Sequence, residues 1–181
     1  TGYDTFGYVF FQTLILDKND NMILLTRAPD LRQAQNTSNI EDIRIWVDKD
    51  GSNPTNDLKQ ILNELNLQNK NIGIEYEAYG MTGRNALRLN KSLDNYCKVE
   101  DQSELITKLR VIKSNEELVY VRRAAELADK ALDEAWKYTK AGASEAKILA
   151  EMQRAVLEGG GDYPANEYII GSGDNALLCR Y

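Results

Sequence analysis

The chain has 181 residues, 43% hydrophobic and 28% charged, with a formal net charge of −6. That length buries a core without help from disulfides, while 22 basic against 28 acidic residues with no basic cluster argue against a nucleic-acid surface. The longest apolar stretch, Tyr8 to Leu16, is interrupted by Gln12 and Thr13 and is far too short to span a membrane.

Tyr8 to Leu16 is aromatic and β-branched, and Met22 to Leu25 repeats that character after Asp17-Lys18-Asn19-Asp20-Asn21, which predicts a hairpin with a five-residue polar turn. The stretch up to Asp42 is polar and weakly patterned, and Ile43 to Val47 alternates as a strand does. Ser52-Asn53-Pro54 is a helix-start signal, followed by Leu58, Ile61, Leu62 and Leu65 at helical spacing. Asn71 to Glu75 reads as a strand, Leu87 and Leu89 as part of a helix, and Tyr96 to Val99 as a return to the sheet. This alternation predicts an α/β layer.

From Ser114 the pattern is helical. Ser114 and Glu117 have the spacing of a capping box, and two adjacent stripes, Leu118-Val121-Ala125-Ala128-Leu132-Ala135 and Tyr120-Ala124-Leu127-Ala131, predict a helix covered on well over one side. Glu126 with Lys130 and Asp133 with Lys137 are spaced as ion pairs on its remaining face. Gly142 stops the helix, Ser144 starts another, and Gly159-Gly160-Gly161 ends it; Asn166 to Tyr181 reads as two short strands around Gly171 to Asp174. The change of pattern places a domain boundary near Val111 to Ser114.

The missing histidine removes Ser-His-Asp and Cys-His nucleophile pairs and His-ligated zinc from these residues. Cys97 and Cys179 are far apart, so two buried thiols in a reduced, cytoplasmic protein are expected. Thr1-Gly2-Tyr3 shows neither an initiator Met nor a basic and apolar leader, so no signal peptide is expected, and both ends are expected to be cuts in a longer chain.

The order of these signals resembles the creatinase, prolidase and aminopeptidase P superfamily. The features that carry it are Arg110, Lys113, Ser114 and Glu117 in an R-x-x-K-S-x-x-E opening; Arg122 to Ala125 on the long helix; Gly142 with Ser144-Glu145; and Ile169-Ile170-Gly171-Ser172-Gly173-Asp174-Asn175-Ala176. Thr1-Gly2-Tyr3, the hairpin and Lys70 to Glu75 extend it over the N-terminal half. The resemblance implies an α/β chain with a creatinase-type N-terminal domain, a mixed sheet with flanking helices, at 1–110, truncated at its start. The opening helices and strands of a pita-bread α+β catalytic domain would follow at 111–181, itself truncated. It further implies a cytoplasmic homodimer that hydrolyses a C–N bond in a small zwitterionic or Xaa-Pro type substrate. A non-catalytic peptidase-like binding module and a lyase of the same fold, acting on a sulfonium substrate, are the alternatives. No cofactor is expected within this chain, although the resemblance implies a divalent metal pair in the longer parent. This fragment alone is expected to be inactive.

Where the family's peptidases place a histidine after the S-G-x-N-A segment, this chain has Arg180, as in divergent branches similar to ectoine hydrolase. Arginine does no acid–base work near neutral pH but offers a carboxylate a planar fork of donors, so Arg180 reads either as a substrate-carboxylate clamp or as a strand-end surface residue. Tyr3 and Asp4 lie where the family sends a loop toward a neighbouring subunit's active site, or else mark the edge of the core. Gly171 and Gly173 read as a bulge or tight turn rather than an anion cradle. The pairs Glu116-Glu117 and Asp129-Asp133 are explained by capping and a solvated helix face, and Cys179 as a buried, inert thiol.

Overall fold

A computed structural model describes residues 1–179, in two compact units, the first Thr1–Arg110 and the second beginning at Val111. In the first unit β1 (Thr13–Leu16) and β2 (Met22–Arg27) form the antiparallel hairpin, with Thr13 opposite Leu25 and Leu16 opposite Met22. Asp17 closes the turn: its carboxylate accepts from the N–H of Asn19 at 2.8 Å and of Asn21 at 3.0 Å. These bonds favour the charged form and hold the carboxyl below its usual range, the Asn21 side chain contributing most. The α-helix α1 (Leu31–Thr37) then carries the chain to β3 (Asp42–Trp46), which pairs parallel with β2. A second pair, β4 (Asn71–Ile74) and β5 (Lys98–Asp101), is also parallel. The helix α2 (Pro54–Glu64) lies between the two strand groups in sequence, α3 (Gly83–Leu93) between β4 and β5, and α4 (Ser103–Val111) after β5.

β2 is the centre of the three-stranded sheet, whose order is β1-β2-β3. Its side chains alternate between two apolar layers. Ile23 and Leu25 join Phe11, Ile15, Trp46, Leu58, Ile61, Leu62, Ile74, Leu89, Leu93 and Tyr96 in the main core, while Leu24 joins Ala34 and Ile40 on the other side. Asn53 caps α2, accepting from the Thr55 N–H, with Pro54 at the first helical position as its sequence predicts.

One expectation for this unit is corrected, and two helices appear that the sequence did not announce. The strand predicted from Tyr8 begins only at Thr13. Phe10 and Phe11 are buried but lie before the ladder: the Val9 N–H donates to Phe6 O at 3.0 Å, a turn bond, and Phe11 O accepts from Trp46 Nε1 at 2.9 Å instead of from a neighbouring strand. The weakly patterned stretch contains α1, whose only buried residue is Ala34, too sparse a signal for periodicity. The helix α4 has exposed apolar residues, Leu105, Leu109 and Val111, and one buried residue, Ser103, so no amphipathic stripe announces it.

In the second unit α5 (Asn115–Tyr138) and α6 (Glu145–Glu158) pack as a pair. The capping box forms as expected: Glu117 N–H donates to Ser114 Oγ at 3.2 Å and Ser114 N–H to Glu117 Oε2 at 2.7 Å. The predicted two-stripe burial of α5 does not. Leu127 and Ala131 are buried against Val156, Met152 and Tyr168, but Tyr120, Val121, Leu132 and Trp136 are exposed, because one partner helix covers only one stripe. The ion pairs also differ: Glu126 meets Arg123 at 2.9 Å and Lys137 meets Glu134 at 3.3 Å. The expected tail strands are absent among the described residues; Gly173–Leu177 form a 3-10 turn, its local bonds satisfying backbone groups that have no neighbouring strand there. Cys179 is exposed rather than buried, whereas Cys97 is half-buried and burial pushes its thiol pKa up.

Glu151, on α6, is buried to 8% exposure between Lys147 and Arg154, and Arg154 continues to Glu158 at 2.6 Å and to Glu134 of α5 at 3.6 Å. The hydrogen bond from Lys147, then that from Arg154, holds the Glu151 carboxyl below its ordinary 4.5. A depressed folded-state pKa contributes stability that is complete above the unfolded value and lost as pH falls through the folded one. Urea unfolding monitored on the helical signal should therefore weaken progressively as pH falls below about 4.5. Glu151→Gln should flatten that dependence, and an unchanged slope would remove the network from acid stability. In the first unit the Tyr96 hydroxyl is buried with no hydrogen-bond partner among the described residues, while its ring holds the core and lies 5.0 Å from Lys59 Nζ. Tyr96→Phe is expected to leave stability unchanged or raise it by up to about 1 kcal/mol, measured by the same denaturation; a clear loss would mean that the hydroxyl has a partner.

Candidate functional site

In the first unit the residues before β1 form a loop built around one side chain. Thr26, fully buried on β2, donates its hydroxyl to Gln12 Oε1 at 3.0 Å. The same oxygen accepts from Thr5 Oγ1 at 3.0 Å and from the Tyr3 hydroxyl at 3.3 Å. Two further contacts fix the adjoining residues: the Arg27 guanidinium lies 3.6 Å from the Phe10 ring centroid and pairs with Asp30 at 3.1 Å, and Trp46 holds the Phe11 carbonyl. The loop is thereby tied to the ends of β2 and β3.

Tyr3 is half-buried, its ring against Leu24, Ala34 and Ile40, and its hydroxyl is engaged by Gln12. Asp4 is exposed; its backbone N–H donates to Thr37 Oγ1 at 3.3 Å, which leaves the carboxylate facing solvent. Beyond them Phe6, Tyr8 and Val9 are exposed, the two rings 5.8 Å apart. A second loop abuts this one at Gly80, where a Cβ would lie 2.4 Å from Gly7 O; only glycine permits that approach. Its neighbour Tyr79 is almost fully exposed. The structure thus gathers an aromatic surface next to Tyr3 and Asp4 that the sequence reading did not single out. Gln12 was missed as well. The signal available was a lone amide within an apolar run, with hydroxyl residues at Tyr3, Thr5 and Thr26 able to donate to it. A cleft of about 150 Å³ between β3 and α2 is lined by Arg44, Asp57 and Glu64, but Arg44 is committed to Asp42 and to Glu64 at 3.1 Å, and no predicted site residue enters it.

The remaining candidate, Arg180, lies outside the described residues. The segment leading to it does not. Tyr168 packs on the α5–α6 apolar cluster, and Ser172 donates its hydroxyl to Glu145, the first residue of α6. Glu117 is used in capping, and Asp129 and Asp133 lie on the exposed face of α5, as the sequence implies. Among the described residues no group of three or more His, Cys, Asp or Glu is placed to hold a metal ion. Nor is any helix among them long and apolar enough to cross a membrane.

The family model for the Creatinase/Prolidase N-terminal domain matches residues 1–112, and that for metallopeptidase family M24 matches residues 119–181. An uncharacterized hydrolase/peptidase of Sinorhizobium fredii is 27% identical over 170 residues, covering 90% of this chain and 43% of its own length. An uncharacterized peptidase of Staphylococcus aureus is 23% identical over 176 residues, 97% of this chain and 47% of its own. The fold is similar to that of a dipeptidase from Pyrococcus horikoshii, with a TM-score of 0.65 at 24% identity, over 87% of this chain and 42% of that one. Prolidase from Pyrococcus furiosus gives 0.65 at 23% identity, over 92% and 44%. The chain spans less than half the length of these relatives. With the match over residues 1–112 covering more than half of it, the chain belongs to the creatinase/prolidase family, its N-terminal domain followed by a segment that the M24 metallopeptidase model matches.

Proposed function

We propose that this chain belongs to a cytoplasmic, homodimeric hydrolase that cleaves a C–N bond in a small zwitterionic or Xaa-Pro type substrate. The observation that carries this reading is the succession, within one chain, of the N-terminal domain match and the M24 match, an order found together with similarity to proteins named as a dipeptidase, a prolidase and an X-Pro aminopeptidase. The contribution of this chain is to bind and orient. Arg180 would take the substrate's carboxylate in a bidentate, charge-assisted pair, which its always-protonated guanidinium can hold but not titrate. Tyr3 and Asp4 would extend toward the substrate of a second subunit. The exposed Phe6, Tyr8, Val9 and Tyr79 beside them supply apolar area suited to burial between copies. A divalent metal pair would be carried by the longer protein.

In that longer protein, Arg180→Lys should chiefly raise KM for a dipeptide such as alanylproline, because the charge survives and the fork does not. A charge-assisted bond of about 1.5 to 3 kcal/mol corresponds to a roughly tenfold to hundredfold loss in kcat/KM. An amide analogue of the dipeptide should bind wild type and variant equally, and an Arg180→Ala protein with unchanged kcat/KM would overturn the clamp. Binding of the dipeptide without turnover would favour the non-catalytic module. Sedimentation should give a dimer that Phe6→Asp with Tyr8→Asp shifts toward monomer; a wild-type monomer, or an unaffected dimer, would remove this loop from the interface.

A further inference from the structure

The side chains of α5 divide the helix lengthwise into three sectors. With about 100° of turn per residue, Arg122, Glu126, Lys130, Asp133 and Lys137 share one sector, and Leu127 and Ala131 share a second, which α6 covers. Val121, Ala125, Ala128, Leu132 and Trp136 fall in a third, which carries no charge. That third sector is left open. Val121 is 49%, Leu132 53% and Trp136 73% exposed, and the two alanines are exposed as well. The stripe runs for about 22 Å along the helix. A single exposed leucine needs no explanation, but a charge-free stripe over four turns belongs to a helix that packs on two sides. Ala125 and Ala128 keep its middle low between Val121 at one end and Leu132 with Trp136 at the other, so a covering element can approach the α5 backbone closely.

The family match indicates what covers it. The M24 model matches from residue 119, two residues before the stripe begins. Among the described residues the second unit holds two helices and a 3-10 turn but no strand, and its apolar cluster is built on Leu127, Ala131 and Val156. A domain closes its core between at least two packed layers, and one helix pair supplies only the first of them. The material for a second layer exists in the relatives. More than half of each lies outside the stretch shared with this chain, which covers 43% of one and 47% of another.

We propose that the stripe Val121-Ala125-Ala128-Leu132-Trp136 is the docking face on which the rest of the M24 domain of the longer protein packs, closing a core that α5 and α6 only begin. The proposal rests on the longer protein of the functional reading but on neither its substrate nor its chemistry, so loss of the hydrolase reading would leave it standing. Hydroxyl-radical footprinting, read by mass spectrometry on the α5 peptides, compares the 181-residue chain with the longer protein. Leu132 and Trp136 should be oxidised about tenfold more slowly in the longer protein, in keeping with their passage from open surface to a packed core. Equal oxidation in the two would overturn the proposal. Trp136 already shielded in the 181-residue chain, and freed on dilution, would assign the face to a second copy and overturn it as well. A substitution reads the same contact from the side of stability. Ala128→Arg fills the low middle of the stripe and should lower the thermal midpoint of the longer protein by about 5 °C or more, while leaving helix unfolding in the 181-residue chain as in wild type. Lys130→Gln, on the charged sector, should leave the midpoint of both unchanged. A longer protein indifferent to Ala128→Arg would overturn the docking face; should that variant fail to fold, the footprint of the wild type decides alone.

Discussion

A hydroxyl buried on a strand covered on both faces must find an acceptor, and in the first unit that requirement organises everything before β1. Thr26 lies on the central strand with no exposed surface, and water cannot satisfy it. Gln12 does so, and its carbonyl oxygen also receives Tyr3 and Thr5, so the partner of one core residue becomes the fastening of a whole loop. With Thr5 and Gln12 held in, Phe6, Tyr8 and Val9 of the loop are left exposed to solvent, while Phe10 and Phe11 are buried. Removing the acceptor would leave a buried donor unpaired, which costs more than the bond itself contributes.

The second unit solves a different problem. Its two helices cover one stripe of each other, leaving Tyr120, Val121, Leu132 and Trp136 of α5 exposed, so packing alone orients little beyond Leu127, Ala131 and Val156. Charged groups supply the remaining order. Glu151 sits between Lys147 and Arg154, Arg154 reaches across to Glu134, and Glu145 reaches to Ser172. The first lies within α6, the second joins α6 to α5, and the third ties the tail to the start of α6. Both units therefore use one side-chain acceptor to place an irregular segment that no sheet supports: Gln12 for the N-terminal loop and Glu145 for the turn beyond Gly171.

Much of the framework was legible in the sequence because its signals act within a few residues. Asn53 with Pro54 starts α2, Ser114 with Glu117 starts α5, and Asp17 closes the hairpin through Asn19 and Asn21. Each of these bonds joins neighbours in the chain, so spacing alone announces it. The order of motifs from Arg110 to Ala176 likewise carried the family, a property of linear arrangement. The tertiary structure decided what depends on distant partners. Phe10 and Phe11 leave the strand because Arg27 and Trp46 claim them; the α5 stripes are half exposed because a single helix faces them; Cys179 is open because no strand forms around it. Gln12 and Glu145 are ordinary polar residues until Thr26 and Ser172 arrive from elsewhere in the chain. A local hydrogen bond has its partner inside the sequence window, whereas a long-range one exists only once folding has brought two segments together, and it is the long-range ones that build the candidate site.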